Sequence, residues 1–182
     1  MPHSEPLGST TVEQMLVRLT DGTRIVIREI RPSDRELLVH SRARYSEETM
    51  RRRFLGPKPQ LSNAELRYLT EVDGEDHYAL VAVPLEDLDT IVATGRFVRL
   101  PEDPTTAETA IVVADDHQRR GLGKRLAIML ADAARDRDVQ RFTAAMLSDN
   151  EPALRLMRTL DDRLRAGPHD HGVREVVTHL AA

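Results

Sequence analysis

The chain has 182 residues, 40% hydrophobic and 31% charged, with a formal net charge of −4 at pH 7. That balance fits one globular domain and excludes a disordered chain or a nucleic-acid binder dominated by phosphate contacts. The absence of cysteine excludes disulfides, thiolate metal sites and cysteine nucleophiles, and no metal site is indicated.

Residues 1–12 read as a disordered leader, and 13–182 as a single domain. The leader lacks the charged-then-apolar pattern of a secretory signal. The longest apolar run, Tyr78 to Leu85, is too short to span a bilayer and is broken by Pro84. The cytoplasm is therefore the expected compartment, with no membrane or nucleic-acid partner.

Leu16 to Leu19 and Arg24 to Ile30 alternate apolar and polar around Asp21-Gly22, a hairpin signal. Ser33 and Glu36 have capping-box spacing and predict a helix to about Tyr45. Ser46 starts a second helix carrying Met50 and Phe54, ended by Gly56-Pro57. Ser62 with Glu65 opens a third, reaching about Asp73-Gly74. His77 to Val83 and Thr90 to Leu100 read as strands, with Gly95 marking a bulge. A turn over 101–105 leads to an apolar strand from Ala107 to Ala114. Helix 119–137 has the clearest period, with Leu122, Leu126 and Leu130 on one face. Val139 to Met146 is a strand. A helix near 150–160 carries Ala153, Met157 and Leu160. Strands near 162–166 and 172–180 flank a turn over 167–172. The β–α–β unit near 108–146 predicts a parallel crossover. The sum is an α/β (α+β) fold: a mixed, mostly antiparallel sheet of about seven strands with helices on both faces.

The strand ending at Ala114 runs through Gln118-Arg119-Arg120-Gly121-Leu122-Gly123-Lys124 into the periodic helix. A helix start offers unpaired N–H groups and positive dipole, which suit a pyrophosphate. Gly121 and Gly123 let the backbone approach closely, and Arg119, Arg120 and Lys124 add positive charge. The spacing fits neither a P-loop nor a dinucleotide fingerprint, since Leu126 stands where that pattern has its third glycine or alanine. A plain turn with solvated arginines is the competing reading.

Gln118-x-x-Gly121-x-Gly123, preceded by Ile111-x-Val113, resembles motif A of the GNAT acetyltransferase superfamily, and the resemblance extends over roughly 22–180. Asn150-Glu-Pro-Ala153 resembles the second signature, where the asparagine reaches the pantetheine arm. As a plain N-cap before Pro152, Asn150 also makes local sense. Arg52-Arg53-Phe54, Leu61-Ser62, Leu69-Thr70, Val72-Asp73-Gly74 and Asp76-His77 resemble the Pat-type bacterial protein lysine acetyltransferases.

The resemblance implies acetyl-CoA as co-substrate and direct attack by an amine, most simply a protein lysine, in a ternary complex. It implies cofactor contacts at Ile111, Val112, Val113, Gln118 to Lys124, Asn150 and Met157, with a backbone N–H at Val113 or a neighbour on the acetyl carbonyl. Glu108 is the candidate general base. His77 is a second candidate for orienting or relaying protons, against a reading as a structural histidine. Many GNAT enzymes carry a tyrosine acid seven residues after the asparagine. Here that position is Met157, core-like at its spacing. A small-molecule amine acceptor and a non-catalytic acyl-CoA-binding module are the alternatives, and the oligomeric state is open between monomer and homodimer.

Overall fold

The computed structural model describes residues 14–57 and 60–180, so the leader expected over 1–12 lies outside the described residues. Its centre is an eight-stranded sheet in the order β1-β2-β3-β4-β5-β6-β8-β7. The strands are β1 (Met15–Arg18), β2 (Arg24–Glu29), β3 (His77–Pro84), β4 (Ala93–Leu100), β5 (Asp103–Val113), β6 (Arg141–Leu147), β7 (Arg165–Asp170) and β8 (Val173–His179). The sheet has eight strands where about seven were expected, with the four-residue β1 pairing fully with β2 as an edge strand. Pairing is antiparallel throughout except between β5 and β6.

Among the described residues five α-helices flank the sheet: α1 (Arg35–Ser41), α2 (Glu47–Phe54), α3 (Asn63–Thr70), α4 (Leu122–Arg135) and α5 (Glu151–Arg158). α4 covers one face, where Leu80, Phe97 and Ala107 meet Leu122, Leu126 and Leu130. Those three leucines are at most 1% exposed, and burying each contributes about 1.5–3 kcal/mol. On the opposite face Leu38 of α1 and Leu66 of α3 pack on Val26, Ala79, Val81 and Val83.

Local chemistry explains the boundaries. Ser46 accepts from the Thr49 N–H, and Ser62 and Glu65 form the reciprocal capping box. The expected helix from Ser33 is broken into a 3-10 turn at Pro32–Asp34, α1, and a second 3-10 turn at Arg42–Arg44. Its start is fixed by Asp34, whose carboxylate accepts from the Arg31 N–H and pairs with Arg28 at 2.7 Å, rather than by Ser33.

Gly95 lies in regular register opposite Ile111; the irregularity falls at Arg99/Leu100 instead. The glycine at 95 lets α4 pack closely on β4, since a Cβ there would stand 2.9 Å from Leu130 Cδ1. The expected 167–172 turn shrinks to His171-Gly172, with φ 48° and 79°, the two left-handed residues of a tight hairpin. Gly167 sits inside β7, beside the register shift between Ala166 and His169.

Candidate active site

β5 and β6 pair over three rungs only: Thr106 with Arg141, Ala107 with Phe142, and Glu108 with Thr143. Beyond Glu108, β5 stays with β4 as far as Val113, while β6 stays with β8 as far as Leu147. The two strands therefore part into a wedge. A cavity of about 80 Å³ occupies it, lined by Ala110 and Ile111 on one side, Ala144 and Met146 on the other, and by Asn150, the N-cap of α5, and Met157 within α5.

Alternation decides which β5 peptides face the wedge. The Thr105 carbonyl accepts from Gln140 on the β6 side, whereas the Ala114 N–H donates to Val92 on the β4 side. Odd-numbered residues thus aim their peptide groups at β6. The N–H groups of Ile111 and Val113 open into the gap, and the Val113 carbonyl accepts from Gln118 Nε2 at 3.0 Å. The Val112 peptide faces β4 instead, so only its neighbours' amides reach the wedge.

The turn after β5 uses the left-handed backbone region twice. Arg119 has φ 57° and Gly121, the N-cap of α4, has φ 87°. A Cβ on Gly123 would meet nothing closer than 3.7 Å, so internal packing does not demand glycine there. A ligand approaching the amides of Leu122, Gly123 and Lys124 would. Arg119 and Lys124 are exposed, with no ion pair among the described residues. Arg120 is engaged elsewhere, pairing with Asp21 at 2.6 Å. The Leu122 side chain is buried, leaving only its amide available.

Asn150 does two things. Its Oδ1 caps α5 by accepting from the Ala153 N–H at 3.2 Å, while its amide nitrogen has no hydrogen bond among the described residues. Met157 is 6% exposed and belongs to the core as well as the cavity wall.

Glu108 sits at the closed end of the wedge, exposed, with no hydrogen bond or ion pair among the described residues. It lies on the face opposite α4. A second carboxylate lies one strand further on: Glu175 of β8 accepts from Oγ1 of Thr143, the β6 partner of Glu108, at 2.5 Å. Two acids on this stretch of sheet suit a cationic amine. The structure does not bring His77 to this point. It lies two strands from Glu108 in the row His77–Val98–Glu108, about 10 Å away at standard strand spacing. It is buried, and its Nε2 is 3.1 Å from Arg96 Nη1. Burial, then the nearby Arg96 charge, lower its pKa to about 4.

Sequence reasoning missed the strut behind the turn. Asp115 accepts from the Ser46 N–H at 2.8 Å, Ser46 Oγ at 2.7 Å and Thr49 Oγ1 at 3.1 Å, and Gln118 Nε2 also reaches Thr49 Oγ1 at 3.1 Å. Burial works to raise the Asp115 pKa, but these hydrogen bonds prevail and lower it. The start of α2 is thereby fastened to the phosphate turn across 69 residues of sequence, and no local signal announces such a contact.

A sheet that splays beside a glycine turn and a helix start leaves strand and helix amides open to a ligand. Residues 43–161 match the Acetyltransferase (GNAT) family, and the chain belongs to it. The chain is 37% identical over 150 residues to Acetyltransferase Pat of Mycolicibacterium smegmatis, covering 82% of this chain and 43% of that protein. It thus spans less than half of that relative. It is 34% identical to Acetyltransferase PA5475 of Pseudomonas aeruginosa, covering 78% of this chain and 74% of that one. The crystal structure of the GNAT domain of S. lividans PAT superposes with TM-score 0.81 at 29% identity, over 92% of this chain and 97% of that one. Among the described residues no helix is long and apolar enough to cross a membrane.

Proposed function

We propose that the chain transfers acetyl from acetyl-CoA to a primary amine, most simply a protein lysine, by direct attack in a ternary complex. The observation that carries this is the wedge running from Glu108 to the start of α4. Its β5 side, from Glu108 to Val113, is about 16 Å long at ~3.3 Å per residue, the reach of an extended pantetheine arm. The pyrophosphate sits on the Leu122–Lys124 amides with Arg119 and Lys124 beside it. The arm lies between β5 and β6 against Asn150, and the acetyl group reaches toward Glu108.

The amine nitrogen bonds to the thioester carbon, and the amine proton passes to Glu108 directly or through a water. The carbonyl oxygen gains charge and is held by the Ile111 N–H, the nearer of the two open amides to Glu108. The C–S bond breaks and CoA leaves as a thiolate. With Met157 where relatives have a tyrosine, water protonates it, which a thiol with a pKa near ~8.5 tolerates. Residues of the Pat-type pattern, namely Arg53, Phe54, Leu61, Leu69 and His77, gather on the Glu108 face, which supports a lysine acceptor.

Free CoA release tests the reading, and the cysteine-free chain gives no thiol background. Release from acetyl-CoA that requires a lysine-rich protein or lysine peptide supports it. Release with a polyamine alone moves the acceptor to a small molecule. Acetyl-CoA binding without release to any acceptor would leave an acyl-CoA-binding module.

A further inference from the structure

A second cavity, of about 50 Å³, lies on the Glu108 face between α1, α2, α3 and strands β4 and β5. Three arginines line it, Arg42, Arg53 and Arg96, together with Tyr45 and Thr94, and no carboxylate does so among the described residues. Arg96 is 6% exposed. Both its contacts run through Nη1, to the Leu69 carbonyl at 3.2 Å and to His77 Nε2 at 3.1 Å. Nε and Nη2 therefore have no partner among the described residues. The Arg42 Nε is buried without a partner, and the Tyr45 hydroxyl, beside Ser41, finds no well-formed hydrogen bond.

Guanidinium groups do not shed their proton in proteins, so this is positive charge held in a place with little water. Uncompensated buried charge is costly, and an arginine fork matches a carboxylate oxygen for oxygen. The strain registers on Arg96 itself: burial first, then the neighbouring Arg53, lower its pKa to about 10. Burial likewise lowers the Arg53 pKa, and Glu108 offsets only part of that. The volume is several times the ~10–15 Å³ a water needs, enough for a carboxylate-sized group.

We propose that this cavity is a carboxylate-binding subsite of the active centre, with Arg96 and Arg42 as its anion-holding residues. The placement rests on the acetyltransferase reading. Arg96 is the register partner of Ala110, two residues along β5 from Glu108 and so about 7 Å from it along the strand. A carboxylate there belongs either to the acceptor amine or to the tail of a dicarboxylic acyl group on CoA.

The test begins without a variant. The melting temperature is followed against sodium malonate and succinate, with chloride at matched ionic strength as reference. The proposal expects a saturable rise with the dicarboxylates that is lost in Arg96→Met and in Arg42→Met. No rise, or one that persists in both variants, overturns it. Two further arms name the source. Succinyl-CoA binding at least about tenfold tighter than acetyl-CoA, as expected for hydrogen bonds to a charged group, identifies the acyl tail. A KM at least about tenfold lower for 4-aminobutyrate than for butylamine, with acetyl-CoA, identifies the acceptor. Preference in neither arm overturns the placement beside the reaction centre. If acetyl-CoA itself does not bind, the acetyltransferase reading fails, while the melting shift still decides whether the cavity takes a carboxylate.

Discussion

Gln118 reaches back five residues to Val113, its Nε2 donating to the Val113 carbonyl at 3.0 Å. That bond ties the phosphate turn to the end of the splayed strand, satisfying a carbonyl that β6 has abandoned while leaving the Val113 N–H free. The same nitrogen touches Thr49 Oγ1 at 3.1 Å, so one amide links strand, turn and α2.

Removing that tie should therefore act on cofactor binding. Gln118→Ala is expected to leave the melting temperature nearly unchanged, because the side chain is exposed. It should raise the KM for acetyl-CoA about fivefold, the worth of one hydrogen bond of ~1 kcal/mol. Steady-state kinetics alongside a thermal melt checks this; a large melting loss with unchanged KM would make the tie purely structural.

Gly123 separates folding from ligand approach. Its added Cβ meets only ordinary contacts at 3.7 Å and beyond, and alanine favours helix over glycine. Gly123→Ala should keep or raise the melting temperature while weakening acetyl-CoA about tenfold or more, as a methyl intrudes between backbone and phosphate. Calorimetric titration measures the affinity. Unchanged affinity would mean the pyrophosphate does not rest on these amides.

His77 predicts a pH effect on stability rather than on catalysis. The unfolded chain protonates this histidine as pH falls through about 6.5, the folded one only near 4. Its contribution is thus complete above about 6.5 and is lost progressively between about 6.5 and 4. His77→Gln retains an acceptor for Arg96 and cannot titrate. Its melting temperature should vary less across that window than the wild type's, and parallel curves would refute the assignment.

Where function was legible in the sequence, it was local. Gly121 and Gly123 between an apolar strand and a 3.6-period helix mark the turn without any tertiary knowledge, and Ser62 with Glu65 marks a helix start just as directly. The wedge was not legible, because it depends on β6 leaving β5 after Thr143, and a parallel partner 35 residues away leaves no local trace. The start of β5 was hidden for a related reason. Asp103 to Thr105 read as part of a turn over 101–105, yet Arg141 across the ladder holds Asp103 at 2.8 Å and Thr106 at 3.0 Å and keeps the segment extended. Gly95 showed a glycine but not its cause, which is Leu130 pressing from α4. The charge pocket was illegible altogether, since Arg42, Arg53 and Arg96 meet only in three dimensions.

We propose that Glu108, at the closed end of the wedge, takes the proton of the attacking amine. The most direct test compares Glu108→Gln with the wild type in free CoA release at saturating acetyl-CoA, with acetyl-CoA affinity measured calorimetrically on both proteins. Equal affinity is expected, with release slowed about 10²–10⁴-fold in the variant, the usual worth of a general base. Release at the wild-type rate with Gln at 108 would contradict it and require the proton to leave by another group.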